Sequence, residues 1–172
     1  MENNQTRQKV ILSITGIQKY DDFDNSIEVV APGKYYVKDN KQYLAYKERN
    51  EGASQDILTT VKIEHDKISV MRFGGINTNM TFELNKKHTT FYDTEHGALT
   101  VSVTAKKIRV ELDEEEAKGE IEVVYEFEID HMLIGINILY IKMHPTSENE
   151  NNASCEDLSL DDAFLNDYLQ EK

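Results

Sequence analysis

Apolar and polar residues alternate with a period of two along most of this chain. In residues 120–130, the apolar face is formed by Ile121, Val123, Tyr125, Phe127 and Ile129. The opposite face, which only Val124 interrupts, carries Glu120, Glu122, Glu126, Glu128 and Asp130. Because successive side chains of a β-strand point to opposite faces, this alternation predicts a half-buried strand and not a helix.

Similar segments recur up to residue 143, separated by short polar turns. Roughly ten to twelve strands are predicted, from segments that include separate ones at 26–30, 33–38, 99–105 and 107–112. No connection between them is long enough for a βαβ crossover, which favours an antiparallel meander. So many strands exceed what one open sheet usually holds, and closure removes the exposed edges. We therefore predict an all-β fold, a closed antiparallel meander barrel over residues 1–144, with a two-sheet sandwich as the alternative.

The alternation stops after Met143. Residues 145–157 are rich in Ser, Asn and Glu, which predicts a flexible acidic linker. From Ser159, a suitable N-cap, apolar residues recur at helical spacing, so residues 158–172 are predicted to form a short amphipathic helix. Its apolar face would consist of Leu160, Phe164, Leu165, Tyr168 and Leu169. This face could bind the chain's own barrel or a partner protein, and a disordered appendage is the third alternative.

The acidic composition excludes some classes of partner. The formal net charge is −13, and residues 145–172 hold eight acidic residues against one lysine. A negative surface repels phosphate backbones and anionic lipids, so neither nucleic acid nor a membrane is predicted as a partner. Cys155 is the only cysteine, which excludes a disulfide within one chain. The polar N-terminus does not resemble a signal peptide, and we expect a cytoplasmic protein.

Several segments, taken in order, resemble the YwiB-like β-barrel family of Gram-positive bacteria, a calycin-type domain of unknown function. The segments are Gly33-Lys34-Tyr35-Tyr36, Tyr43-Leu44-Ala45-Tyr46-Lys47-Glu48, Thr59-Thr60-Val61-Lys62-Ile63, Val70-Met71-Arg72-Phe73-Gly74, Met80-Thr81-Phe82, and Tyr92-Asp93-Thr94 with Gly97. The resemblance spans about residues 8–143. It implies a lipocalin-like barrel in a bacterial, cytoplasmic protein, and it brings no catalytic residues.

Arg72 is the most informative candidate for a binding site. It shares a strand face with Ile68 and Val70, so an inward guanidinium would need a partner. It could hold a ligand carboxylate or phosphate, or it could pair with an internal Glu or with backbone carbonyls at the end of the barrel. A bulge at Gly74-Gly75 could also turn it outward. We predict that Arg72 lines a ligand site together with Tyr46, Tyr92, Met80 and Phe82. The alternative for the aromatic residues is packing. Thr60, Lys62 and Glu48 fit either strand face.

No catalytic or metal-binding motif is recognisable. None of the five histidines has a second ligand at zinc-site spacing, so no metal or cofactor is predicted. The acidic run at 111–116 is interpreted as a solvated hairpin tip. The first functional hypothesis is therefore binding of a small apolar or amphipathic ligand inside the barrel. The alternative is a protein–protein interaction module that uses the barrel exterior and the C-terminal helix, and an enzyme ranks third.

Overall fold

The computed structural model describes residues 7–21, 23–49, 56–74 and 77–146, and every regular element among them is a β-strand. The strands are β1 (Gln8–Tyr20), β2 (Phe23–Lys38), β3 (Lys41–Glu48), β4 (Ile57–Ile63), β5 (Lys67–Phe73), β6 (Thr78–Glu83), β7 (Lys87–Thr94), β8 (Gly97–Asp113), β9 (Lys118–Ile129) and β10 (Met132–Pro145). Within these residues, no helix is long and apolar enough to cross a membrane. Most of the predicted linker and all of the predicted C-terminal helix lie outside the described residues.

The ten strands form one antiparallel sheet in the order β6-β5-β4-β3-β2-β1-β10-β9-β8-β7. Each strand pairs with its neighbour in sequence except at β6 and β7, and β1 pairs with β10 to join the two halves. The two edges meet through a few contacts, since the Thr90 hydroxyl donates to the Asn79 carbonyl at 2.9 Å. Asn85 N–H also donates to the Ala105 carbonyl at 2.8 Å. The sheet is therefore a nearly closed meander barrel, and the sandwich alternative was wrong.

Two pairs of predicted strands are in fact continuous. Segments 26–30 and 33–38 both belong to β2, which passes through Pro32 without a break. Pairing of β2 with β3 begins only at Gly33, so Pro32 lies where a missing N–H is tolerated. Segments 99–105 and 107–112 both belong to β8, and the change of alternation at Lys106 is a β-bulge between Ala105 and Lys107. Each interruption was a local irregularity in one strand and not a turn.

On each strand, the side chains of alternate residues point inward and fill the barrel. The most deeply buried inward side chains include Val10, Leu12, Tyr35, Leu44, Val61, Ile68, Phe82, Val123, Ile141 and Met143. Because side chains alternate along a strand, this cluster fixes which face is inside. Glu48 shares its parity with Leu44 and points inward, whereas Thr60 and Lys62 lie on the outer face of β4.

The β8–β9 turn covers one end of the barrel. Ala117 in this turn is only 3% exposed and belongs to the core cluster. The Gln8 side chain donates to the Glu114 carbonyl at 2.8 Å, which ties the turn to β1. Near this end, the Tyr35 hydroxyl donates to Gln42 Oε1 at 2.7 Å. Glu114, Glu115 and Glu116 are exposed, in agreement with a solvated hairpin tip. The opposite end is more open to solvent and contains the candidate site.

Candidate functional site

Strand register brings four polar side chains into one row on the inner face of the sheet. Tyr46 of β3 pairs with Thr59 of β4, Thr59 pairs with Arg72 of β5, and Arg72 pairs with Thr78 of β6. The next row toward the covered end is apolar, because Leu44, Val61, Val70 and Met80 occupy it. The change from apolar to polar rows marks the inner boundary of the site, which we call the mouth cluster: Tyr46, Glu48, Thr59, Arg72 and Tyr92.

Arg72 and Glu48 form the charged centre of the mouth cluster. Arg72 Nη2 donates to Glu48 Oε2 at 2.8 Å. The Arg72 side chain is 42% exposed and that of Glu48 is 19% exposed. A guanidinium has five N–H donors, so one bond to Glu48 does not exhaust its capacity. The pair therefore holds Arg72 in place at the edge of the interior while solvent still reaches the guanidinium.

Two hydroxyl groups beside this pair are buried without a hydrogen bond of good geometry. Thr59 is 1% exposed, and its Oγ1 makes no hydrogen bond of good geometry among the described residues, although it lies beside the Tyr46 hydroxyl. The hydroxyl oxygen of Tyr92 is equally inaccessible and also makes no hydrogen bond of good geometry there. A buried polar atom that lacks a hydrogen bond costs about 1–3 kcal/mol. Such atoms therefore call for a bound water or a ligand group that satisfies them.

The surrounding charges and burial shift the pKa values of the nearby tyrosines. Burial, followed by the neighbouring Glu48 carboxylate, raises the pKa of Tyr46 to about 12. Burial raises the pKa of Tyr92 as well, and Thr78 and the positive Arg72 oppose that rise. On the facing wall, burial raises the pKa of Tyr125, whose hydroxyl oxygen lies 3.5 Å from the Asn137 amide nitrogen. All three phenols therefore remain protonated at neutral pH and can donate a hydrogen bond.

Apolar side chains border the polar cluster on its solvent side. Ile27, Leu99 and Met132 have the inward strand parity but are 62%, 36% and 66% exposed. Leu99 lies opposite Tyr92 in the β7–β8 ladder, and Met132 pairs with Ile129 in the β9–β10 ladder. The open end thus combines hydrogen-bonding groups with accessible apolar surface, which is the arrangement that an amphipathic molecule requires.

Comparison with known proteins places this barrel in a family. Residues 12–141 match the family described as Domain of unknown function (DUF1934). The chain belongs to the DUF1934 family. The Uncharacterized beta-barrel protein YwiB of Bacillus subtilis (strain 168) is 31% identical over 120 residues, which are 70% of this chain and 82% of that protein.

A solved structure agrees with the architecture of this DUF1934 barrel. The crystal structure of the ywiB protein from Bacillus subtilis has a TM-score of 0.71 and 26% sequence identity. The match covers 84% of this chain and 97% of that chain. The resemblance to a YwiB-like barrel family is confirmed, and the family's description states no activity. The function must therefore be argued from the residues of this DUF1934 barrel.

The structure brings together three of the five residues that were predicted to line a ligand site. Arg72 lies close enough to Tyr46 and Tyr92 to influence both pKa values. Met80 lies one row deeper, opposite Val70. Phe82 is two rows deeper than Arg72, is 1% exposed and packs on Tyr125 at 4.7 Å between ring centroids. Phe82 is therefore placed in the core.

Sequence reasoning did not include Thr59 among the site residues, and it left the orientation of Glu48 open. Residue type alone does not mark Thr59 or Glu48 as a site residue, because Thr and Glu are common on strands that face solvent. The signal for Thr59 is its register opposite Arg72, and the signal for Glu48 is its inward position on β3, from which it reaches Arg72; both depend on strand pairing across the sheet. The residues predicted to bind a partner, Leu160, Phe164, Leu165, Tyr168 and Leu169, lie outside the described residues.

The substitution Tyr46→Phe is expected to reduce the loss of stability at alkaline pH. The pKa of this phenol is about 12 in the folded chain and 10.0 as its ordinary value. A raised pKa leaves stability intact below pH 10 and lowers it as the pH rises toward 12, by about 1.4 kcal/mol per pH unit. Urea unfolding between pH 8 and pH 11.5 measures this slope.

Tyr35→Phe provides the comparison for this titration. Burial, followed by Glu114 and Asp113, also raises the pKa of Tyr35 to about 12, at the opposite end of the barrel. Each substitution should therefore remove a separate part of the alkaline slope, and the double variant should remove both parts. An unchanged slope in Tyr46→Phe would show that Tyr46 titrates normally in the folded protein.

Proposed function

We propose that this protein binds a small amphipathic molecule at the open end of the barrel, in a lipocalin-like manner. The oxygen-rich head group of the ligand, for example a carboxylate, accepts hydrogen bonds from Arg72 and from the hydroxyl groups of Thr59 and Tyr92. Its apolar part lies against Leu99 and Met132. The mouth cluster holds the head group in place and carries out no reaction.

The observation that carries this proposal is the pair of unsatisfied hydroxyl groups beside a partly exposed arginine. Thr59 Oγ1 and the Tyr92 hydroxyl are buried without a hydrogen bond of good geometry among the described residues. Thr59 is paired with Arg72 across the sheet, and Arg72 lies close enough to Tyr92 to influence its pKa. An inward polar cluster with a purely structural role would satisfy these groups internally. A ligand head group would satisfy them from outside while it occupies the remaining donors of the guanidinium.

Decanoate binding to the full chain tests the proposal, and decanol serves as the uncharged counterpart. The protein has nine tyrosines and no tryptophan, so titration calorimetry and tyrosine fluorescence both report binding. Arg72→Gln should weaken decanoate binding at least about tenfold, because a hydrogen bond to a charged group contributes about 1.5–3 kcal/mol. Decanol binding should change much less. Thr59→Val, which keeps the side-chain shape, should also weaken decanoate binding without lowering stability.

Arg109→Gln is the matched control for charge. Arg109 lies on the outer face of β8 and contacts Glu111, Glu120 and Glu122 at 3.1–3.3 Å. The Arg109→Gln substitution should leave decanoate binding unchanged. Equal weakening by both arginine substitutions would mean nonspecific attraction of the anion. Absence of binding for both probes, together with no retained small molecule in native mass spectrometry of freshly purified protein, would reject the proposal.

A further inference from the structure

The outer face of strands β2 to β5 contains side chains that are buried although they point away from the barrel interior. Their parity is opposite to that of the core residues Leu44, Val61 and Val70. We call them the outer cluster: Ala45, Leu58, Thr60, Met71 and Phe73. Thr60 is 0% exposed and Met71 is 4% exposed. Side chains on the outside of a single-layer barrel are normally at least partly accessible to solvent.

No described element accounts for this burial. All ten strands of the part of the chain that the structure describes belong to the one sheet, so none of them packs across its outer face. The outer cluster also includes a buried hydroxyl, since Thr60 Oγ1 has no hydrogen-bond partner among the described residues. An apolar surface of this kind is stable when another apolar element lies on it.

We propose that the chain's own C-terminal segment, residues 158–172, binds the outer cluster. Of the residues outside the described ranges, this segment alone has a repeating apolar pattern. Residues 1–6 are Met-Glu-Asn-Asn-Gln-Thr and residues 50–55 are Asn-Glu-Gly-Ala-Ser-Gln, which are mainly polar. In residues 158–172, by contrast, apolar residues recur at helical spacing at Leu160, Phe164, Leu165, Tyr168 and Leu169.

Strand register places the start of this segment within reach of the outer cluster. Pro145, where β10 ends, is aligned through Val10 and Gly33 with Tyr46, the neighbour of Ala45. From β10 to β3 there are three strand spacings, or roughly 14 Å at about 4.8 Å each. Residues 147–157 can extend over roughly 36 Å at about 3.3 Å per residue. Residues 147–157 are therefore long enough to bridge the distance from β10 to β3.

Charge complementarity supports the same partner. Register places Lys34 directly beside Ala45 and Lys47 directly beside Leu58, both with outward parity, so basic side chains border the outer cluster. The C-terminal segment carries four acidic residues against Lys172: Asp161, Asp162, Asp167 and Glu171. Opposite charges at the border favour β2–β5 and set the orientation of the bound segment.

Paramagnetic relaxation on the full chain tests this proposal. Cys155 is the only cysteine, so a nitroxide attached to it marks the region just before the segment. In NMR spectra of the ¹⁵N-labelled protein, the amide signals of Ala45, Thr60 and Met71 should lose intensity. The amide signals of Ile108 and Val123, on strands β8 and β9, should keep theirs. Loss of intensity confined to residues near Pro145 would overturn the proposal.

Two substitutions with the same charge change separate apolar contact from attraction between charges. Phe164→Asp places a carboxylate on the apolar face, whereas Asn166→Asp adds the same charge on the polar face. The first should restore the β3–β5 signals, and the second should leave them broadened. Equal spectra for both variants would reject binding through the apolar face.

A mixture of nitroxide-labelled ¹⁴N protein with unlabelled ¹⁵N protein identifies the copy that supplies the segment. No broadening of the β3–β5 signals is expected in this mixture, because the segment and the cluster belong to one chain. Broadening that occurs only in the mixture would show that the segment of a second copy binds the outer cluster, and this result would overturn the proposal. If the signals of the outer cluster stay unaffected in all samples, a different partner covers this cluster and the proposal is overturned.

Discussion

The substitution Phe82→Ala is expected to lower the free energy of unfolding by about 3–5 kcal/mol, because it removes a large side chain from the centre of the barrel. Phe82 is 1% exposed, and its ring lies 4.7 Å from the ring of Tyr125 at an interplanar angle of 51°. Ile68 lies opposite it in the β5–β6 ladder, so the lost volume would leave a cavity between fixed neighbours. Urea unfolding followed by far-ultraviolet circular dichroism measures the difference.

Phe91→Ala is the control for this substitution. Phe91 is also on a strand near the seam between the two edges, but its side chain is 74% exposed. Its removal should change the free energy of unfolding by less than about 0.5 kcal/mol. If Phe82→Ala proved equally mild while it weakened decanoate binding, Phe82 would be a wall of the ligand site and not part of the core. The pair of substitutions thus separates the two roles that the sequence left open.

Strand content could be predicted because alternation is a local property, and the nearly closed barrel followed from the number of strands. The inward residues of β9 and their acidic neighbours are visible in one short window of sequence. The continuity of β2 and β8 could not be predicted, because Pro32 and Lys106 interrupt the alternation without ending a strand. A proline and a bulge are tolerated where pairing is missing or shifted, and pairing is a property of the neighbouring strands.

The interior face of β3 and β4 could not be predicted for a different reason. Four consecutive residues, 43–46, are buried in β3, and another four, 58–61, are buried in β4. Alternation identifies the inside of a strand only when one of its faces contacts water. Here the outer cluster removes that contrast, so Thr60 and Glu48 had no assigned direction until the register was known. The strands that position the candidate site are therefore the ones whose pattern is least informative.

Gly119→Ala is expected to destabilise the barrel by more than about 3 kcal/mol, through backbone strain together with overlap. Gly119 is the second residue of β9 and has a φ of 150°, in the region that favours glycine. A Cβ atom there would overlap the Glu111 carbonyl oxygen and lie 2.7 Å from Leu112 Cα. Both contacts are with backbone of the paired strand β8, so neither can be relieved by a side-chain rotation.

Substitutions at two other glycines separate the contribution of backbone strain from that of atomic overlap. Gly97 has a φ of 116° but nothing within 4 Å of an added Cβ, so Gly97→Ala isolates backbone strain and should cost about 1–2 kcal/mol. Gly16 has open space around the added Cβ and no positive φ, so Gly16→Ala should change stability by less than about 1 kcal/mol. Urea unfolding of the three variants measures the series, in which Gly119→Ala should be the most destabilised. If Gly97→Ala cost as much as Gly119→Ala, the φ angle alone would set the penalty, and the close approach of β8 to Gly119 would contribute nothing.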